Sequence, residues 1–362
     1  MTPHDIEHSA PDLPETQRQS LVERYRLQTW FLGIIAFAVI LFMLVQARFI
    51  LTSLVFAIIL FALTADAISA FQRLRIGSWR ITNWLASIAA FAAIAVVLLT
   101  LSALVISQIN TLVTTTLTYT DQAITAIARL GNLFSPEAGA MIETSIRSIQ
   151  VSAYVGSLAG QAGNLLSATT LVILFVGFLF AERLWFDTKL ENLMNDKIRA
   201  QRVGRIIHSI VRRVNHYLLV KTGVSVATGA VIYAIMTVFG LDFAGPMAVL
   251  TVVLNYIPSV GSIIATILLG LVALIQVPEP ATALVVLMLG TLTQFTLGSV
   301  LDPMLMGRAL RVSSFGIIVS LSFWGAVWGI PGMFLAMPIM VAAMIVCSHI
   351  PAARPAASGH WR

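Results

Sequence analysis

Long runs of apolar residues, separated by shorter polar segments, dominate the pattern of the chain. They fall at about 30–47, 49–67, 84–107, 166–182, 218–240, 247–277, 281–301 and 315–347. About 20 apolar residues cross a bilayer core as a helix, so most of the runs are long enough for one crossing. A lone strand cannot satisfy its backbone in lipid, and the period-two alternation of a transmembrane barrel is absent. The pattern predicts an all-α, polytopic membrane protein.

The two longest runs are interrupted by helix-breaking residues. The breakers are Pro258 and Gly261 in 247–277, and Gly329, Pro331 and Gly332 in 315–347. Proline removes a backbone donor and glycine permits a sharp turn, so each run is predicted to form a helical hairpin. The arms of the second hairpin are expected to have roughly 16 residues, which is short for a full span. The alternative is that these residues only kink two long packed spans.

Each interrupted run follows an uninterrupted one, at 218–240 and at 281–301. The parity of the crossings makes the two units run in opposite directions. This predicts an inverted repeat of a transmembrane helix plus a broken, re-entrant helical hairpin. Secondary transporters place a midplane site between such elements, because non-helical backbone is tolerated in a membrane only where it is buried or lines a cavity. We therefore expect a solute site between the two hairpin tips.

Polar and helix-breaking groups in these units are the candidate substrate- or ion-binding residues. They are Asn255, Pro258, Ser259, Gly261, Gln294, Asp302, Gly329, Pro331 and Gly332. Intramembrane polar groups cost free energy and are functional candidates by default. Asp302 either forms a structural pair or marks a helix end, or it couples an ion or solute. Asp66, at the end of the second run, is expected to be interfacial rather than a proton carrier.

Basic residues set the expected orientation. Arg73, Arg75 and Arg80 follow the second run, and many more lie in 183–217. The positive-inside rule places these segments and both termini in the cytoplasm. Apolar residues at helical spacing in the outer segment predict amphipathic helices there. The expected division is a polar tail 1–29, transmembrane helices 30–107, extracytoplasmic helices 108–165, a transmembrane and a cytoplasmic amphipathic helix 166–217, a transport unit 218–347 and a tail 348–362.

Composition narrows the class of function. Hydrophobic residues make up 58% of the chain and charged residues only 10%, far from ordinary globular usage. The net charge of +6 comes from basic residues between apolar runs, where they meet anionic headgroups rather than nucleic acid. The single cysteine, Cys347, allows no intramolecular disulfide. Hydrolase, zinc-protease and Walker motifs are absent, so we expect no enzyme, no cofactor and no metal site, and transport that is secondary.

Three motifs resemble the autoinducer-2 exporter (AI-2E) family of bacterial permeases. They are Asn255-x-x-Pro258-x-x-Gly261, Asp302-Pro303-x-x-Met306-Gly307-Arg308-x-Leu310 and Phe323-Trp324-Gly325-x-x-Trp328-Gly329-x-Pro331-Gly332-Met333-x-x-Ala336-x-Pro338. The resemblance implies an inner-membrane homo-oligomer, with pentamers expected, that exports a small polar solute such as autoinducer-2 by an elevator-like movement. Some relatives are associated with sodium/proton exchange, which is the alternative function.

Two departures from the family pattern bear on this alternative. Many relatives have a Glu where this chain has Leu297, and a Pro near the position of Ser314. Loss of that carboxylate weakens the argument for cation coupling. A third possibility is a non-transporting membrane scaffold that binds partners through 108–165 and 183–217.

Overall fold

The computed structural model describes residues 15–73, 83–132, 141, 144, 151–182, 189, 197–277, 279–306 and 313–349. Within these ranges every regular element is helical, which confirms the predicted all-α class. The helices are α1 Glu15–Gln46, α2 Arg48–Arg73, α3 Asn83–Asn132, α4 Val151–Glu182, α5 Lys197–Val238, α6 Ala244–Asn255, α7 Val260–Gln276, α8 Pro280–Gln294, a π-helical segment Phe295–Leu301, α9 Asp302–Met306, α10 Ser314–Trp328 and α11 Ile330–His349.

Six of the described helices contain a stretch long and apolar enough to cross a membrane. The stretches are Leu27–Gln46, Ser87–Thr111, Gly163–Glu182, Ala200–Val238, Pro280–Met306 and Ile330–Ser348. A polytopic membrane protein is therefore confirmed, while the re-entrant character of the hairpins and the sidedness of the termini stay predictions. Outside the described residues lie the C-terminal tail from residue 350, residues 1–14 of the N-terminal tail, part of the outer segment, and Arg75, Arg80 and Arg308.

The helix bounds differ from the sequence-based boundaries in three places. α3 continues beyond residue 107 to Asn132, and α5 passes through residue 217 without a break. No glycine or proline interrupts either sequence at those points, so the intrahelical hydrogen bonds continue. The second arm of the second hairpin has 20 residues, longer than expected, because Pro338 lies inside α11 without ending it.

The chain divides into two compact units, residues 1–51 and 52–362. The first unit contains α1 and the start of α2. Its backbone hydrogen bonds continue across Ala47, whose N–H donates to the Met43 carbonyl at 2.9 Å, while the Leu51 N–H donates to the Ala47 carbonyl at 2.9 Å. Its apolar side chains, Trp30 and Phe31 among them, are exposed, as expected for a helix in contact with lipid.

Helices α5 to α8 form the main apolar core of the second unit. Ile232 and Met236 of α5 pack there with Leu269 of α7 and Val286 of α8, and all four are almost fully buried. α5 and the 280–306 helix run antiparallel, because Lys221 pairs with Asp302 at one end and Ile232 approaches Gly290 further along. The first helices of the two predicted repeats thus run in opposite directions, as an inverted repeat requires.

Both interrupted runs form helix–turn–helix hairpins. In the first, Ser259 takes a positive φ of 62° in the turn between α6 and α7. In the second, Gly329 alone connects α10 to α11 with a φ of 68°. Two further glycines allow the arms to touch: a Cβ atom on Gly261 would lie 1.7 Å from the Leu254 carbonyl oxygen, and one on Gly332 would lie 2.0 Å from the Trp324 carbonyl oxygen.

The turn of the first hairpin packs against the arms of the second. Ile257, which is buried, forms a cluster with Leu321 of α10 and Ala336 of α11. Next to it, the Tyr256 ring stacks on the Phe334 ring with 5.5 Å between centroids. Among the described residues, the first turn therefore contacts the arms of the second hairpin, while Gly329, Ile330 and Pro331 at the second turn are exposed.

Candidate functional site

A cavity of about 720 Å³ lies between α5, the first hairpin and the Pro280–Met306 helix. Its buried polar lining consists of Tyr217, Lys221, Asn255, Gln294 and Asp302. The rim carries the exposed residues Ser259, Ile263, Ile267, Thr291, Phe295 and Ser299. A cavity with convergent polar groups in an otherwise apolar wall is the usual form of a small-molecule site.

A local change of helix type shapes one wall of the cavity. The helix that begins at Pro280 widens into a π-helical segment over Phe295–Leu301, and the Asp302 N–H donates to the Leu297 carbonyl five residues back. π-helical turns inside longer helices are rare and frequent at functional sites. Here the segment separates Gln294 from Asp302 and leaves both side chains on the cavity wall.

Lys221 and Asp302 form a buried ion pair at the cavity wall. The Lys221 Nζ donates to the Asp302 Oδ2 at 2.5 Å, and each side chain is only 9% exposed. Burying two charges is costly, and attraction between them offsets that cost only in good geometry. The pair joins α5 to α9 and gives this wall no net charge. Asp302 Oδ1 faces no hydrogen-bond donor among the described residues.

Three further polar groups of the wall are buried without a partner among the described residues. Gln294 is only 5% exposed, yet neither its amide nitrogen nor its amide oxygen has a hydrogen bond. The buried Tyr217 hydroxyl lacks one as well. Asn255 Oδ1 accepts a long bond from the Ser262 hydroxyl at 3.4 Å. Buried polar atoms are normally satisfied, and leaving one unsatisfied costs about 1–3 kcal/mol. The arrangement can donate to and accept from a polar ligand.

The sequence-predicted site residues divide into two groups. Asn255, Pro258, Ser259, Gln294 and Asp302 all line the cavity. Gly261 lies beside it, where it packs against the Leu254 carbonyl instead of facing the space.

The predicted residues of the second hairpin are not brought to this cavity. Gly329, Pro331 and Gly332 stand at the turn between α10 and α11, and that hairpin contributes only Ile317 and Met337 to the lining. The described cavity therefore does not lie between two hairpin tips as the sequence suggested. The reason is that the first turn packs along the arms of the second hairpin.

Two residues of the site were missed from the sequence. Lys221 and Tyr217 lie on α5, outside the candidate set, yet both line the cavity. The available signal was Lys221 itself, the only charged residue in the run 218–240, because an ionisable group inside a span marks a functional position by default. Among the described residues, no cluster of three or more His, Cys, Asp or Glu side chains could hold a metal ion.

Comparison with known proteins places this geometry in context. Residues 32–352 match the family model described as AI-2E family transporter. A putative transport protein of Borreliella burgdorferi is 31% identical over 210 residues, which cover 57% of this chain and 58% of the relative. The AI-2 transport protein TqsA of Escherichia coli is 31% identical over 189 residues, 52% of this chain and 54% of the relative.

A third relative is the putative transport protein YhhT of Escherichia coli. It is 30% identical over 185 residues, which cover 50% of this chain and 51% of the relative. The chain thus matches somewhat more than half the length of each of these relatives.

Proposed function

The chain belongs to the AI-2E family of transporters, and from that premise we propose that it is a secondary transporter that exports a small polar solute through the cavity beside α5. The relative TqsA is named as an AI-2 transport protein, so autoinducer-2 is the first solute to test. The membrane we propose is the bacterial inner membrane, with both termini in the cytoplasm.

One observation carries the proposal. Gln294, Asp302 and Tyr217 present buried hydrogen-bonding atoms with no partner among the described residues, and all three residues line the same cavity. A fold that only needed stability would pair these atoms or replace them by apolar ones. A solute bearing hydroxyl or carbonyl groups would satisfy them while it is bound.

The mechanism that we propose is an elevator-like movement of residues 218–347 as one body within a homo-oligomer. In support, all the residues that line the cavity except Tyr217 lie within 218–347, so nearly the whole wall would move together. The turn of the first hairpin supplies non-helical backbone at the cavity, which is the arrangement that transporters use for solute sites, and the π-helical segment lies in the facing wall. The oligomer and its pentameric form rest on the family resemblance alone.

Cation/proton antiport is less well supported than solute export. Lys221 already neutralises Asp302, so the described wall offers a cation no net negative charge. Leu297 stands where many relatives have a carboxylate, and none of the relatives named above is described as an antiporter. A dye-reported pH change on addition of sodium to wild-type proteoliposomes would favour antiport over our proposal.

Gln294→Leu is expected to separate transport from stability. The change removes two unpartnered buried atoms at nearly constant volume, so the free energy of unfolding should stay the same or rise by about 1 kcal/mol. Flux of autoinducer-2 through proteoliposomes should fall at least about tenfold if one or two hydrogen bonds to the solute are lost. Stopped-flow or filter-binding flux assays together with thermal unfolding measure both effects.

The matched control is Thr293→Val on the preceding residue. Thr293 is equally buried, but its hydroxyl donates to the Leu289 carbonyl of its own helix at 2.7 Å and does not line the cavity. Flux should be nearly unaffected in this variant. Equal flux in wild type and Gln294→Leu would contradict the placement of the solute, and wild-type vesicles that move no autoinducer-2 would contradict the choice of solute.

A further inference from the structure

Four arginines form a stripe along the N-terminal half of α5. They are Arg202, Arg205, Arg212 and Arg213, and all four are exposed. At 100° per residue, these positions fall within an arc of about 100° on one face of the helix. We call this set the arginine stripe.

The arginine stripe has no compensating charge on its own helix. α5 has 42 residues, Lys197–Val238, and none of them is Asp or Glu. The four guanidinium groups therefore repel one another along about three turns of helix. Such an arrangement is stabilised by a multivalent or clustered anion.

The exposed face turns apolar directly after the stripe. Leu219, Val226 and Tyr233 follow on the adjoining side of α5, rotated by about 70–110° from the centre of the stripe, and are 62%, 52% and 50% exposed. From residue 219 to Val238 the helix has about 20 residues, or about 30 Å, which equals the hydrocarbon thickness of a bilayer. The far end is marked by the turn at Gly240 and by the exposed Asp242.

We propose that the arginine stripe is a binding site for the headgroups of anionic phospholipids in the membrane that the protein spans. Guanidinium groups bind phosphate oxygens in a bidentate manner, and basic residues beside a span attract anionic lipid with about 1 kcal/mol each. A nucleic acid or an acidic protein would account for the charge, but not for its continuation into an apolar face of bilayer thickness.

The headgroup site fixes the depth of one end of the cavity. Lys221 lies on the opposite, buried face of α5, only two residues beyond Leu219, which is about 3 Å along the helix. In this conformation the Lys221–Asp302 pair therefore lies at the edge of the hydrocarbon core, on the same side as the bound headgroups. This inference goes beyond the proposed function, since lipid binding at α5 needs no particular solute.

Lipid selectivity tests the site directly. The full chain is reconstituted in phosphatidylcholine bilayers, and electron paramagnetic resonance compares the association of spin-labelled phosphatidylglycerol with that of spin-labelled phosphatidylcholine. Wild type is expected to prefer phosphatidylglycerol by at least about twofold, and the preference should weaken in high salt. The fourfold change Arg202→Gln, Arg205→Gln, Arg212→Gln and Arg213→Gln should remove it, whereas the corresponding four lysine substitutions should retain most of it.

The matched control removes two exposed charges elsewhere, by Arg24→Gln and Lys189→Gln. It should leave the preference unchanged. Equal selectivity in wild type and in the fourfold glutamine variant would overturn the proposal. Loss of the preference in inorganic phosphate, but not in sodium chloride of the same ionic strength, would assign the stripe to a soluble anion instead.

Depth measurements provide a second, independent test. Single cysteines at 205, 216, 219 and 226 in a Cys347→Ser chain are spin-labelled, and their collisions with oxygen and with a water-soluble nickel chelate are compared. The balance should change from water to lipid between 216 and 219. A change elsewhere along α5, or none, would contradict the inferred depth, whatever the outcome of transport assays.

Discussion

Asp302→Ala is expected to destabilise the protein by about 3–5 kcal/mol, because it leaves the Lys221 ammonium buried without its counter-charge. Both side chains are only 9% exposed, so water in the adjoining cavity can replace the lost carboxylate only in part. Thermal unfolding in detergent, compared with wild type, gives the size of the effect. The control Arg205→Ala removes an exposed charged side chain in the same unit and should cost well under 1 kcal/mol.

A double variant separates the structural from the functional part of the pair. Lys221→Met with Asp302→Leu removes both charges at similar volume, and buried ion pairs replaced in this way are often neutral in stability. We expect most of the lost stability to return, while flux stays low because the cavity wall has lost two polar groups. A double variant as unstable as Asp302→Ala would show that the pair does not account for the loss.

Gly332→Ala and Gly261→Ala are each expected to destabilise the fold by about 3 kcal/mol or more, at the upper end of the cost of overpacking. The added Cβ atoms would lie 2.0 Å from the Trp324 carbonyl oxygen and 1.7 Å from the Leu254 carbonyl oxygen. Backbone cannot yield as a flexible side chain does, so the arms of each hairpin must separate. Thermal unfolding measures the cost, and flux through the Gly261 variant should fall because Asn255 and Ser262 shift with the arms.

Gly223→Ala is the matched control for both glycines. Gly223 lies within α5 with no atom within 4 Å of the added Cβ position. Alanine is a better helix former than glycine by about 0.8–1 kcal/mol, so this variant should be unchanged or slightly more stable. If all three variants behaved alike, close packing of the arms would not be the reason for glycine at 261 and 332.

The breaks and the directions of the C-terminal helices were predictable from the sequence. Pro258 and Gly329 stand out in uncharged runs, because proline lacks the backbone N–H and glycine allows a positive φ, and the structure turns at both places. The parity of the crossings predicted opposite directions for the helices of the two repeats, and α5 and α8 are antiparallel in the structure. The family was also predicted from residues of this region, and the match over 32–352 confirms it.

The packing that assembles the site was harder to predict from the sequence. Asn255, Gln294 and Asp302 were singled out as polar groups in apolar runs, and the cavity brings them together. Lys221, the ion-pair partner of Asp302, was not identified from the sequence. A contact between positions 221 and 302 depends on how two helices that are far apart in the sequence pack together. Gly329, Pro331 and Gly332 do not line this cavity, and their role stays a prediction. The sequence pattern shows where a chain turns but not which flank its neighbour contacts.

Solute protection of a cavity cysteine tests the central claim most directly. In a Cys347→Ser chain, Ser299→Cys places a thiol on the exposed rim of the cavity, and Thr237→Cys places a control thiol on α5 away from it. Saturating autoinducer-2 is expected to slow maleimide labelling at position 299 several-fold while leaving position 237 unchanged. Labelling at 299 that proceeds equally fast with and without the solute would contradict the account.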